Sequence, residues 1–72
     1  MAQYIVTRRN EDGTYDNVET NNCILFSQYR TLTGALRHAI KPFANGGMVR
    51  VEIFNDGVYG RAPNDTRYYN FG

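Results

Sequence analysis

The segment Thr31–Asn55, TLTGALRHAIKPFANGGMVRVEIFN, decides the fold. Its first part predicts an amphipathic α-helix, because its apolar residues recur at the spacing of a single helical face. Thr31 is a favourable N-cap, since its hydroxyl can accept a hydrogen bond from an N–H of the first turn. Pro42 disfavours helical geometry at Lys41, so the helix should end near Lys41 or one turn later, before the stop at 45–47. The apolar face consists of Leu32, Ala35, Leu36, Ala39, Ile40 and Phe43.

The second part of this segment, residues 48–55, predicts a strand because its side chains alternate between apolar and mixed character. We expect one set of alternate residues to face the helix and the other set to face away. A helix of about 11 residues is roughly 16 Å long and can cover only one face of a sheet. The other face should therefore be left without a helix. The set facing the helix is Val49, Val51 and Ile53, and the opposite set is Met48, Arg50, Glu52 and Phe54.

The flanking sequence predicts further strands joined by tight turns, because Asp-Gly pairs follow two of the extended runs. The expected fold is a single small α+β domain over residues 1–72. One α-helix packs on a four- to five-stranded antiparallel sheet in the order β-β-β-α-β-β. Residues 66–71 should form a short aromatic tail, and we treat 67–72 as a candidate tail of the domain. The other strands are predicted at Gln3–Arg9, Thr14–Thr20, Cys23–Tyr29 and Val58–Ala62.

The composition narrows the classes of function. The 72 residues carry 8 basic and 7 acidic side chains, for a formal charge of +1. This balance argues against an acidic nucleic-acid mimic and against a polybasic phosphate binder. The single cysteine, Cys23, cannot form an internal disulfide. The first residues lack the pattern of a secretory signal, and the longest apolar run is too short to span a membrane. We therefore expect a cytoplasmic protein with no membrane partner.

Candidate catalytic groups are few. His38 and Cys23 are the only residues of their types, and no group that could orient such a pair is evident. We interpret Cys23 as a small buried apolar residue and His38 as a surface residue. The four acidic residues near the first turn fit turn formation on a solvated face better than a cation site. The sequence therefore predicts neither an enzyme nor a cofactor or metal site.

Arginine and aromatic residues indicate a binding surface. Seven of the eight basic residues are arginine, and the chain has six tyrosines and four phenylalanines. These residue types are enriched where proteins contact one another. Arginine beside aromatic residues on a sheet also suits single-stranded nucleic acid or RNA, which is the alternative hypothesis. A further alternative is a self-associating structural phage protein, including a homodimer. The predicted contact residues are Arg8, Arg9, Glu11, Asp12, Arg50, Phe54, Tyr59, Arg61, Tyr68 and Tyr69.

The stretch TLTGALR at 31–37, followed by GMVRVE at 47–52, resembles the helix-to-strand segment of small anti-CRISPR proteins, which are phage-encoded inhibitors. The resemblance is confined to this part of the chain. It implies a stoichiometric inhibitor that is not an enzyme. It also implies a partner in the host cytoplasm, namely a Cas protein, a surveillance complex or another host defence protein. No functional residue of that family can be assigned to a position of this chain.

Overall fold

The computed structural model of this protein describes residues 2–17, 22–58, 60 and 62–72. Two strands come first, β1 at Gln3–Arg8 and β2 at Cys23–Phe26. A single continuous helix, α1, covers residues 32–44. Two strands follow it, β3 at Met48–Phe54 and β4 at Asp65–Asn70. The order in the described residues is therefore β-β-α-β-β, which confirms an α+β fold with one helix and a four-stranded antiparallel sheet.

The first strand lies inside the sheet. The strand order is β2-β1-β3-β4, and every neighbouring pair is antiparallel. Val6 of β1 is opposite Ile24 of β2 on one side and opposite Val51 of β3 on the other. Since residues that are directly opposite share a face, this register places the three side chains on one side of the sheet. The strands β2 and β4 form the two edges.

The helix begins where the sequence predicts. The Thr31 hydroxyl accepts a hydrogen bond from the Gly34 N–H at 3.1 Å, which confirms the N-cap. The first turn, Leu32–Ala35, is α-helical, the segment Leu36–Ile40 is π-helical, and the turn Lys41–Ala44 is α-helical again. The Lys41 N–H bonds to the Leu36 carbonyl, five residues back. This wide turn accommodates Pro42, which lacks an N–H and would otherwise crowd the carbonyl four residues before it.

The helix ends at the predicted stop. Asn45 adopts a left-handed conformation with φ of 50°, and its N–H bonds to the Lys41 carbonyl at 3.3 Å. Gly46 continues this reversal with φ of 77°, which a glycine adopts without steric cost. The chain can then enter β3 directly. The extra turn to Ala44, stated as an option from the sequence, is therefore present.

The core lies between α1 and one face of the sheet. Its buried members in the helix, Ala35, Ile40 and Ala44, are five and then four residues apart. The first interval contains the π turn, which adds one residue without rotating the buried face away from the sheet. Val49 and Val51 contact this core and Ile53 packs at its margin, so the predicted inward face of β3 is confirmed.

The predicted strand Thr14–Thr20 is not present in its described part. Residues 14–17 are irregular, and 18–20 lie outside the described residues. The turn before them does form, because the Gly13 N–H bonds to the Asn10 carbonyl at 3.0 Å. Beyond the turn, Arg50 donates to the Asp16 carbonyl at 2.9 Å and holds the chain against the sheet. These residues therefore cross the sheet surface instead of pairing beside β1.

The predicted strand Val58–Ala62 is also wrong at its described positions, which are 58, 60 and 62. The strand forms later, as β4, in the segment predicted as an aromatic tail. The Val58 N–H is taken by the Gln3 side chain at 3.1 Å, so it does not enter a ladder. The loop instead closes at its base, where the Asn64 side chain accepts from the Asn55 N–H at 2.8 Å. The connection between β3 and β4 is thus a longer loop than the Asp-Gly pair predicts.

Candidate binding surface

In the part of the chain that the structure describes, one face of the sheet carries no helix, and we call it the helix-free face. Its residues come from the inner strands β1 and β3 and from the edge strands β2 and β4. Leu25 is 42% exposed, and Tyr68 is 59% exposed. Met48, at the start of β3, points to the same side and is 39% exposed. By register, the face includes Ile5, Thr7, Cys23, Leu25, Arg50, Glu52, Thr66 and Tyr68.

Arg50 lies at the centre of this face and is held by groups of its own chain. Besides the Asp16 carbonyl, its guanidinium lies within 3.5 Å of the Thr7 hydroxyl and the Asn17 amide oxygen. It also forms an ion pair with Glu52 at 3.5 Å. Its side chain is only 14% exposed. These contacts fix residues 15–17 across the sheet.

Aromatic rings extend this cluster toward the edge strand β4. The Arg50 guanidinium lies 5.4 Å from the centre of the Tyr15 ring. Tyr15 in turn meets Tyr68 edge to face, with ring centres 5.6 Å apart. Cation–π and edge-to-face contacts of this kind stabilise their geometry modestly. Tyr68 remains mostly exposed and so presents its outer side to solvent.

A groove lies on the helix-free face beside β2 and has a volume of about 400 Å³. Both charged and apolar groups line it. The charged groups are those of Asp16, Glu52 and Arg50. By register, Arg50 lies level with Cys23 across β1, and Glu52 lies level with Leu25. The apolar lining consists of Ile5, Ile24, Leu25, Phe54, Val58 and Pro63.

The first turn carries three predicted contact residues, Arg9, Glu11 and Asp12, all exposed. The Asp12 carboxylate accepts hydrogen bonds from the Thr14 hydroxyl at 2.6 Å and from the Thr14 N–H at 3.0 Å. These bonds, with a smaller contribution from the nearby Arg9 charge, hold the pKa of Asp12 below its usual range. The carboxylate therefore closes the turn, and the turn stands at the periphery of the helix-free face.

The remaining predicted contact residues are dispersed. Arg8 points to the helix side, where its guanidinium lies 4.5 Å from the centre of the Phe43 ring. Tyr69 also lies on the helix side and stacks on Phe71. Phe54 points to the helix-free face but is only 4% exposed, so it lines the groove instead of presenting a free contact. Tyr59 and Arg61 lie outside the described residues.

Sequence reasoning did not select Leu25, Met48 or Ile24 as contact residues, although all three are exposed apolar residues. The run CILF predicts burial on both faces, whereas β2 is an edge strand. The alternation in β3 does place Met48 on the outer face, so this signal could have identified it as a contact residue. No comparable signal marks β2 as an edge, because strand order depends on the whole sheet.

The described residues contain no group of three or more histidine, cysteine or acidic side chains that could hold a metal ion. Cys23 is buried, and its sulfur accepts a hydrogen bond from the Thr7 hydroxyl at 3.4 Å. His38 is exposed on α1. Among the residues that the structure describes, none belongs to a helix with the length and apolar character of a membrane span.

Comparison of the chain with protein-family models, with curated proteins and with solved structures finds no match.

Proposed function

We propose that this protein binds another protein through its helix-free face and acts as a stoichiometric inhibitor without catalysing a reaction. The observation that carries the proposal is the exposure of Leu25, Met48 and Tyr68 on the helix-free face. Exposed apolar and aromatic side chains around a fixed arginine are typical of contact surfaces. The rigid attachment of residues 15–17 also supports binding, because an ordered surface loses less entropy when a partner docks.

The resemblance of the helix-to-strand segment to anti-CRISPR proteins supports one class of partner. That class comprises Cas proteins, surveillance complexes and other defence proteins of a bacterial host. The place of action would then be the host cytoplasm. The inhibitor would act by occupying a surface that the target needs for DNA binding or for recruitment of another component.

The engagement of the arginines favours a protein partner over nucleic acid. Arg50 is occupied by Asp16, Asn17 and Glu52, and Arg8 lies against Phe43. Binding to nucleic acid relies on cationic groups that can reach phosphates. With these two guanidinium groups held by the protein itself, the helix-free face is better suited to apolar contact.

The test is capture from a nuclease-treated bacterial lysate, followed by titration of the captured protein in purified form. If the captured protein is a Cas nuclease, its cleavage of target DNA should stop when this protein is added in an amount equimolar to the nuclease. Tyr68→Ala should weaken binding by about tenfold or more, because the ring is the most exposed of the large hydrophobic side chains named on this face. His38→Ala, on the exposed side of α1, is the matched control and should bind normally. A parallel capture from lysate that has not been treated with nuclease is the second sample. Recovery of nucleic acid alone from it would contradict the proposal.

A further inference from the structure

The outer edge of β2 has backbone groups that no described strand pairs with. The Arg8 N–H bonds to the Asn22 carbonyl at 2.7 Å, which fixes the alternation of hydrogen bonds between β1 and β2. In an antiparallel ladder every second residue bonds to a given neighbour. Ile24 therefore bonds to β1, and the N–H and C=O groups of Cys23 and Leu25 point outward.

Two consecutive residues of β2 expose their side chains on opposite faces of the sheet. Ile24 is 39% exposed and lies on the helix side, opposite Val6. Leu25 is 42% exposed and lies on the helix-free face, opposite Ile5. A partner that docks on one face would cover only one of them. A strand added in the plane of the sheet would lie beside both, and it would also pair the outward backbone groups.

The added strand must be apolar on both of its faces, and β2 itself has this property. Its sequence, CILF, contains no charged residue and no proline, the residues that disfavour pairing of an edge strand with another chain. The opposite edge differs, because Asp65 and Arg67 of β4 form an ion pair and are both about half exposed. The inner strands are already paired on both sides. Among the described strands, β2 is therefore the one that matches its own edge.

We propose that the free edge of β2 binds the same edge of a second copy of this chain. Two four-stranded sheets then join into one antiparallel sheet of eight strands. The formal charge of +1 on each chain leaves little repulsion between the copies. The inference goes beyond the proposed function and is independent of it, because Met48 and Tyr68 lie on β3 and β4, away from this edge.

The outward groups of β2 determine the register of the pair. Outward groups must meet outward groups, and only one register pairs those of both residues within the strand. It places Cys23 opposite Leu25 of the second copy, and Ile24 opposite Ile24 of the second copy at the two-fold axis. Since directly opposite residues share a face, the helices of both copies lie on the same side of the joined sheet.

Side chains on both faces add to the backbone hydrogen bonds. On the helix side, the two Ile24 side chains meet, and Phe26 lies on the diagonal, within reach of an aromatic ring. Phe26 is half-buried and belongs to an aromatic cluster, with its ring centre 6.1 Å from that of Phe43. On the helix-free face, Leu25 lies beside Cys23 of the second copy. Both exposed apolar residues of β2 therefore gain apolar neighbours.

The short strand makes this a weak dimer. Its four residues span about 13 Å. An interface built on them is smaller than about 1,200 Å², which is the range of weak and transient complexes. We therefore expect monomers at low protein concentration and dimers at high concentration.

Sedimentation equilibrium of the full chain tests for the dimer. Between about 1 μM and 1 mM, a range that covers weak dissociation constants, the average mass should rise from that of one chain toward that of two. Ile24→Lys and Leu25→Lys should each abolish this rise, because each adds a charge to one face of the paired edge. Met48→Lys is the matched control, since Met48 has the same 39% exposure as Ile24 but lies outside β2, and it should dimerise normally.

Three results of this experiment would overturn the proposal. The first is a wild type that remains monomeric throughout the range. The second is a dimer that Leu25→Lys breaks and Ile24→Lys does not, because such a dimer is joined through the helix-free face. The third is a dimer that Met48→Lys weakens as much as Ile24→Lys does. Tyr68→Ala should dimerise normally, so a failure of the proposed function can be told from a failure of this one.

Amide hydrogen exchange locates the contact on the backbone. Where about nine-tenths of the chains are paired, the Cys23 and Leu25 amides should exchange about tenfold more slowly, since only the monomer exchanges. The Ile24 amide, already bonded to β1, should not change. A dimer that protects neither outward amide contradicts the pairing of the two edges. A chain that stays monomeric, with these amides protected by the partner found by capture, shows that the edge serves that partner.

Disulfide cross-linking tests the two-fold register. Opposite residues of a non-hydrogen-bonded pair have Cα atoms about 4.5 Å apart, a separation that a disulfide can bridge. In a Cys23→Ser background, which removes the native thiol, oxidation of Ile24→Cys should therefore link two chains. Met48→Cys in the same background should remain unlinked. Equal linking of the two variants would reflect random collision and would exclude this register.

Discussion

The guanidinium of Arg50 shows how one side chain can be assigned to an interface from composition and yet be used internally. Its main acceptor, the Asp16 carbonyl, is 34 residues away along the chain. Residue type indicates that arginine forms several hydrogen bonds, but it does not indicate with which groups. The alternation in β3 therefore places Arg50 on the correct face. It does not indicate that residues 15–17 engage the Arg50 guanidinium.

The contacts of Arg50 lead to a prediction about stability. Arg50→Ala should lower the free energy of unfolding by about 1–3 kcal/mol, because Glu52 and the Asp16 carbonyl lose their partner. Urea denaturation measures the change. Arg37→Ala, on an exposed position of α1, is the control and should have little effect. Equal stability of the two variants would show that residues 15–17 are held against the sheet by other contacts.

The lowered pKa of Asp12 predicts a dependence of stability on pH. Because the folded pKa lies below the unfolded value of about 3.9, ionised Asp12 stabilises the fold above that pH. This stabilisation is lost as the pH falls through the folded pKa. The difference in unfolding free energy between the wild type and Asp12→Ala should therefore be largest near neutrality and shrink below about pH 4.

Denaturation of both proteins between neutral and acidic pH tests this dependence. Glu11→Ala removes an exposed carboxylate from the same turn and controls for the loss of charge. The difference in unfolding free energy between the wild type and Asp12→Ala should depend on pH more steeply than the difference between the wild type and Glu11→Ala. If the difference in unfolding free energy between the wild type and Asp12→Ala is constant with pH, the role assigned to the hydrogen bonds from Thr14 is contradicted.

At the scale of elements, local signals predict α1 and β3 well. Thr31, the apolar spacing and the stop at 45–47 each act within a few residues, so their effect can be derived without the rest of the fold. The π turn could not be derived in this way, although Pro42 marks its position. Its benefit becomes visible only when Ala35 and Ile40, five residues apart, are seen to face the same sheet.

The two strands that were misplaced follow tight turns that do form. An Asp-Gly pair shows where the chain reverses, because Gly13 and Gly57 adopt φ of 88° and 96°. It does not show how soon pairing resumes. That depends on distant groups, such as the Gln3 side chain that takes the Val58 N–H. Sequence reasoning therefore located the turns and misplaced the strands after them.

The N-cap gives a prediction for the helix. Thr31→Ala removes the acceptor of the Gly34 N–H and should cost about 0.5–2 kcal/mol of stability. Thr31→Ser keeps the hydroxyl and should retain most of this stability. Thermal unfolding followed by circular dichroism compares the two. If serine destabilises the fold as much as alanine does, the hydrogen bond is not the source of the effect.

For the whole molecule, the thin core makes stability depend on few residues. Ile40 is fully buried, and Ile40→Ala should cost about 2–5 kcal/mol. A chain of this length has a total stability of only about 4–11 kcal/mol. The melting temperature should therefore fall by about 10 °C or more. Ile24→Ala, at an exposed edge residue, should change it much less, and a similar loss in both variants would contradict the core described above.

The position of β1 inside the sheet has a consequence for synthesis on the ribosome. Strand β1 is made first, but its partner β3 ends at Phe54, so the central pair can form only after most of the chain has emerged. Translation proceeds at about 5–20 residues per second, so β1 stays unpaired with β3 for seconds. During that time the inner edge of β1 is open to intermolecular pairing. Slow translation of residues 9–47 should therefore favour aggregation, whereas a pause after β3 should not.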